Sequence, residues 1–316
     1  MIIYIFLDGI GFGENDPEKN PFAKYAKSFF LPLAGKELTT ENPFHKGNYL
    51  VADASMGVTG LPQSATGQTA LWTGFNAPQI LGRHVSGYPS FTLKKIINEF
   101  SMLKILEQNG KKVSFLNCYS ENYIEHLKNN PKHASASSLV QLASSTPFKT
   151  FQDLKENKGI YMDITHEVLN EYAEKFQLQD EELLRIRDPF EVGKLLTSIA
   201  GEYDLVLYEY FLTDKVGHAM DWNWAKKVIG TVERFLEGVI SAIDPNKTQL
   251  ILSSDHGNLE DLSTKVHTKN PVPVYLYGKH TEIFTPKIKA LCDIVPAIYE
   301  IFGIDMSFDY EKISNK

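Results

Sequence analysis

The chain has 316 residues, 43% of them hydrophobic, which is enough for one large core carrying an inserted segment; it is mildly acidic, with 32 Lys and Arg against 39 Asp and Glu. That balance, without any long basic run, excludes the electrostatic footprint expected of a nucleic-acid or acidic-membrane binder and points to a small-molecule partner. Cys118 and Cys292 stand far apart in sequence, so neither a disulfide framework nor a thiolate metal site is indicated, and no segment reaches the roughly 18 apolar residues of a membrane span. A soluble cytoplasmic protein is expected; the sequence says nothing of its oligomeric state.

Ile2-Ile3-Tyr4-Ile5-Phe6-Leu7 is a continuous β-prone run that stops at Asp8-Gly9. It is too short for a signal segment and reads as a buried parallel strand whose carboxyl end delivers a polar residue. Ser64 opens a short helical run from Ala65 to Thr73, where backbone N–H groups favour an anion. By itself such a serine is an ordinary helix cap. Met102 to Gln108 predicts a helix, the pair Asn109-Gly110 a turn, and Lys112 to Leu116 a strand.

From about Glu121 to Arg187 the composition turns polar and mostly helical, predicting a small cap (121–187) inserted into a core formed by 1–120 and 188–316. Leu205-Val206-Leu207-Tyr208 repeats the grammar of the first strand and leads through Glu209 to Asp214; Leu250-Ile251-Leu252 repeats it again and leads to Asp255-His256. Between them Trp224, Val228, Val232, Phe235, Val239 and Ile243 recur at helical spacing, as in a crossover helix. Val272 to Tyr277 predicts a late strand, placed at a sheet edge by Pro273, and Leu291 to Phe302 a closing helix. In parallel sheets ligands bind beyond the carboxyl ends of the strands, so three polar clusters converge on one crevice.

Asp214 and His218 are four residues apart, one helical turn, and so share a face. Asp255-His256-Gly257-Asn258 presents two hard ligands at a turn, and His267 precedes the late strand. Taken one at a time, each has a bland alternative as a cap or a satisfied loop histidine.

The order Asp8, Ser64, Asp214-x-Val216-Gly217-His218, Asp255-His256-Gly257-Asn258 and His267-Thr268-x-Asn270-Pro271-Val272-Pro273 resembles the alkaline phosphatase superfamily, in particular its cofactor-independent phosphoglycerate mutase and phosphopentomutase branch. The resemblance covers about 1–85 and 195–280 and leaves out the cap. It implies a three-layer α/β/α core with a mostly parallel sheet. It also implies two divalent ions, Mn2+ or Zn2+: Asp214, His218 and His267 would hold one, and Asp8, Ser64, Asp255 and His256 the other. Ser64 would be the nucleophile of a phosphoserine reaction on a small phosphate monoester, the enzyme being a phosphatase or a phosphomutase. Arg83, Lys215 and Lys269, in or beside the motifs, are candidate phosphate clamps.

Two departures stand out. Gln68 replaces the histidine typical of the mutases, and the large phosphotransferase domain that glycerate mutases insert near Phe75 has no room here. Ser64-Ala65-Thr66-Gly67 also lacks the proline and arginine of a sulfatase nucleophile. A phosphodiesterase, or a non-catalytic metal-binding protein that keeps the fold, remains an alternative.

Overall fold

The computed structural model describes residues 1–175 and 177–305; Phe176 of the expected cap and residues 306–316 of the expected core lie outside the described residues. In chain order the strands are β1 (Ile2–Leu7), β2 (Asn48–Ala52), β3 (Val113–Phe115), β4 (Cys118–Tyr119), β5 (Lys149–Thr150), β6 (Leu205–Tyr210), β7 (Gln249–Ser253) and β8 (Val272–Gly278). Six of them form one sheet in the order β2-β8-β7-β1-β6-β3, and β4 pairs with β5. β1 runs parallel to β6 and β7, and β3 parallel to β6, while β8 is antiparallel to both its neighbours.

β1 shows why the sheet sits between two layers of helix. Ile3, Ile5 and Leu7 join one apolar cluster and Ile2, Tyr4 and Phe6 the other, all within 1% of full burial, as the period of two requires when both faces are covered. On the first face Val192, Leu196, Val228, Val232, Phe235 and Val239 come from the helices Pro189–Ala200 and Trp222–Ala242. On the second, Ala70, Leu71 and Trp72 come from the helix Ser64–Thr73, with Leu103, Leu106 and Ile298 from helices beside it. This is the expected three-layer α/β/α core.

The strand containing Pro273 is not at the edge. β8 lies between β7 and β2, and the edge is β2, which the sequence reading did not predict. Pro273 is tolerated because it pairs with Val51 of β2 beyond the last β7 pair, Ser253 with Val274, so no β7 carbonyl waits for its missing N–H.

Among the described residues between 121 and 187 the regular structure is a series of short helices together with the short strand β5. Phe151, Leu154, Tyr161, Leu169 and Leu183 cluster there with Cys118, whereas Ala136, Leu139 and Val140 pack into the core layer that holds Trp72. Among the described residues no helix is long and apolar enough to cross a membrane.

Candidate metal centre

Four segments deliver the predicted acidic and imidazole residues to one end of the sheet. Asp8 follows β1 directly. Asp214 and His218 lie on the helix Leu212–Ala219, one turn past β6, and Asp255-His256 follow β7. His267 precedes β8, and because β8 runs antiparallel to β7 its start lies beside β7's carboxyl end. The same topology that makes β8 unlike its neighbours brings the last imidazole into the crevice.

The residues form two adjoining groups. Carboxylate and imidazole atoms of Asp8, Asp255 and His256 lie within 4.8 Å of one another, as do those of Asp214, His256 and His267. His256 Nε2 is 3.5 Å from both Asp8 Oδ1 and Asp255 Oδ2 and 3.0 Å from Ser64 Oγ. His218 Nε2 is 3.3 Å from Asp214 Oδ2 and 3.3 Å from His267 Nε2, and the His256 and His267 rings stack at 3.6 Å. Ser64 is the first residue of its helix rather than its cap. The cap position belongs to Gln63, whose side chain makes no capping bond, so the hydroxyl is free to face the ligands at the positive helix end.

Hydrogen bonds to backbone carbonyls orient two of the imidazoles. His267 Nδ1–H donates to the Pro62 carbonyl at 2.9 Å, and His218 Nδ1–H to the Lys265 carbonyl at 2.7 Å. Each bond turns Nε2 toward the cluster, where the two Nε2 atoms lie 3.3 Å apart. A backbone carbonyl holding the remote N–H is the usual support of a metal-bound histidine. Burial, reinforced by the charge of His267, lowers the His256 pKa to about 3, so this ring is neutral near neutral pH. Asp8 is pushed well above the usual carboxylate range by burial and then by the charges of Asp255, Asp214 and Glu209, while burial raises Asp255 to about 6. Asp8 Oδ1 and His256 Nδ1 are buried without a hydrogen-bond partner. Facing imidazole nitrogens, buried repelling carboxylates and an O/N donor set fit divalent cations.

Several residues that sequence reasoning gave no role complete the site. Gln68 Nε2 donates to Asp255 Oδ2 at 3.2 Å and reaches Asp8 Oδ2 at 3.5 Å, so the amide standing in place of histidine bridges two carboxylates. Asn258 Nδ2 donates to Asp214 Oδ1 at 2.6 Å. That approach needs Gly217, where a Cβ would lie 2.5 Å from the Asn258 side chain, which gives a physical reason for the glycine before His218.

Glu209, near the end of β6, accepts from Ser137 Oγ at 2.8 Å, and Asn117 brackets its backbone. No signal beyond a charged residue late in an apolar strand could have found these contacts. By contrast Arg83, Lys215 and Lys269 are exposed, and among the described residues no ion pair joins them to the cluster.

Burial raises the Glu209 pKa from 4.5 to about 7; the Ser137 hydrogen bond opposes the shift and the Asp255 charge adds to it. A carboxyl whose folded value lies above its unfolded one contributes stability below the unfolded pKa, and that contribution is lost as pH rises through the folded value. In the metal-free protein, Glu209→Gln should therefore gain on the wild type by about 2–3 kcal/mol between about pH 4 and about pH 8. Denaturant unfolding at the two pH values measures this, and a pH-independent difference would refute it.

A family model described as the Metalloenzyme superfamily matches residues 190–306. The chain is 27% identical over 113 residues to a 2,3-bisphosphoglycerate-independent phosphoglycerate mutase of Methylobacillus flagellatus, covering 34% of this chain and 22% of that protein. It is 33% identical over 123 residues to the protein of the same name from Ruegeria pomeroyi, covering 37% and 24%. The chain thus spans less than a quarter of the length of these relatives.

Among solved structures, alkaline phosphatase from the Antarctic bacterium TAB5 matches with a TM-score of 0.53 at 14% identity, covering 96% of this chain and 98% of that one. A protein from Pyrococcus horikoshii matches at 0.52 and 13%, covering 98% of each chain. The fold is thus alkaline phosphatase-like, and the region 190–306 is similar to a metalloenzyme family. Over about a third of its length the chain is similar to 2,3-bisphosphoglycerate-independent phosphoglycerate mutases, and residues 190–306 match the Metalloenzyme superfamily. Asp8 and Ser64 lie outside the span of the family model, and their place in the site rests on geometry.

Proposed function

We propose that the protein is a metal-dependent phosphoryl-transfer enzyme that acts on a small phosphate monoester through phosphorylated Ser64, as a phosphatase or a phosphomutase. The observation that carries this reading is the position of Ser64 Oγ, 3.0 Å from His256 Nε2 at the start of a ten-residue helix, inside a cluster of acidic and imidazole ligands. Two divalent ions, Mn2+ or Zn2+, held by Asp214, His218 and His267 and by Asp8, Ser64, Asp255 and His256, would supply Lewis acidity and offset the phosphoryl charge when bound.

The chain's own residues set the rest. Ser64 Oγ attacks phosphorus, the bond to the substrate oxygen breaks, and the serine proton ends on the departing alcohol. First-turn N–H groups of the Ser64 helix favour the anion as it arrives. Gln68 orients Asp8 and Asp255, Asn258 orients Asp214, and the Pro62 and Lys265 carbonyls fix the tautomers of His267 and His218. The segment 121–187 acts as a cap over the alcohol portion of the substrate, and Arg83, Lys215 and Lys269 are available to reach a phosphate from the rim.

With Mn2+ or Zn2+ present, a panel of sugar, polyol and acid phosphates should show either release of inorganic phosphate or an isomeric ester without release. The first outcome makes the protein a phosphatase and the second a mutase. Turnover of phosphodiesters alone would overturn the monoester reading.

A further inference from the structure

We infer that Glu260 is a positioning residue that locks three ligand-bearing loops together and thereby sets the affinity of the centre for its cations. The inference rests on the reading that these loops hold metal. Glu260 is 1% exposed and its carboxylate is bonded by the loops that carry the candidate ligands. Its Oε2 accepts from Gly11 N at 2.9 Å, on the loop after Asp8, and from Asn258 N at 2.8 Å, on the loop after Asp255-His256. Its Oε1 accepts from Thr268 Oγ1 and, at 3.1 Å, from Asn270 Nδ2, on the loop after His267. One carboxylate therefore takes four donors from three segments, each within a few residues of a predicted ligand.

The surroundings are shaped for it. A Cβ on Gly257 would fall 2.2 Å from both Glu260 Oε1 and Thr268 Oγ1, so glycine after His256 is what lets the carboxylate meet its donors. The same loops are stitched by Leu259 N donating to the Gly9 carbonyl at 2.9 Å and Thr268 N to the Gly257 carbonyl at 3.0 Å. Hydrogen bonds to a charged acceptor are stronger than neutral ones, and a buried donor left without its acceptor costs its full desolvation. Replacing one oxygen by an amide NH2 would set a donor against two donors, and the loops would separate by the few tenths of an ångström that ligand geometry does not tolerate.

The test is Glu260→Gln, with Glu233→Gln as control. Glu233 is another buried carboxylate, receiving the backbone N–H groups of Lys27, Ser28 and Phe30, and among the described residues no hydrogen bond joins it to the candidate ligand loops. Metal-free protein of each kind is titrated with Mn2+ and with Zn2+ by calorimetry or chelator competition at a temperature where circular dichroism shows it folded. Two equivalents bound by the wild type support the metal reading, and none bound refutes that reading independently of Glu260.

Given binding, Glu260→Gln should weaken both ions about 10- to 100-fold, whereas Glu233→Gln should lose thermal stability and keep wild-type affinity. Affinities within twofold of the wild type in folded Glu260→Gln, or an equal loss in Glu233→Gln, would overturn the inference. Should Glu260→Gln not fold, Thr268→Val removes one donor alone and should weaken the ion at His267 more than the other; unchanged affinities there would overturn it equally.

Discussion

Alanine at position 64 is expected to reduce phosphoryl transfer by about 10^4-fold or more while leaving the fold in place. Ser64 is the first residue of the helix Ser64–Thr73, and alanine suits a first helical turn, so the backbone that presents the site survives the change. What disappears is the hydroxyl that faces His256, and with it the covalent step that divides a difficult displacement into two easier ones. Both forms of the proposed activity pass through that hydroxyl, so hydrolysis and isomerisation should fall together.

An acid-quenched wild-type reaction should contain a peptide phosphorylated at Ser64, absent from the variant. A Ser64→Ala protein that keeps more than about a tenth of wild-type turnover would remove the serine from the mechanism, and water attacking directly would replace it.

What the sequence revealed of this fold followed burial. β1, β6 and β7 are covered on both faces, so selection for apolar residues at every position leaves an unbroken run that can be read without a partner. β2 carries no such signal: Asn48 to Val51 are exposed or half-buried, the strand is short, and its one pairing is with β8. Pro273 misled for a related reason, because whether a missing N–H matters depends on where the neighbouring strand stops, and that is a property of β7.

The candidate ligands Asp8, Asp214, His218, Asp255 and His256 were legible since each follows a readable strand at or soon after its carboxyl end, whereas His267, before β8, and Ser64, at a helix start, were read from the wording of their motifs. Glu260 and Gln68 were not: Gln68 meets carboxylates 60 and 187 residues away, and Glu260 joins near neighbours to Gly11, 249 residues away. The same distinction separates Glu209, buried by Ser137 from the inserted segment, from Lys215 and Lys269, whose place inside the motifs did not bring them to the carboxylates.

Removing divalent metal is expected to abolish activity and to lower stability by several kcal/mol, the loss growing as pH rises. The metal-free crevice holds Asp8, Asp255 and Asp214 beside Glu209, with burial the first cause of the raised values of Asp8, Asp255 and Glu209. For Asp255, at about 6, and Glu209, at about 7, the folded protein loses stability as pH climbs through those values, because the unfolded chain has already ionised them at lower pH.

His256, lowered to about 3 by burial, works in the opposite direction, but its contribution is complete once pH passes the ordinary histidine value of about 6.5. Above neutrality the carboxylates decide the sign. A cation reverses it by binding their ionised form, and at a free concentration a thousand times its dissociation constant one such site adds about 4.1 kcal/mol. Chelator-treated protein should thus melt at a lower temperature than protein with Mn2+ or Zn2+, by a margin wider at about pH 8 than at about pH 5. Asp255→Asn, which removes one of the repelling charges and one ligand, should raise the stability of the metal-free form and shrink the shift that metal produces. Equal melting temperatures with and without metal at both pH values, together with undiminished turnover after chelation, would sink the two-cation reading of this crevice.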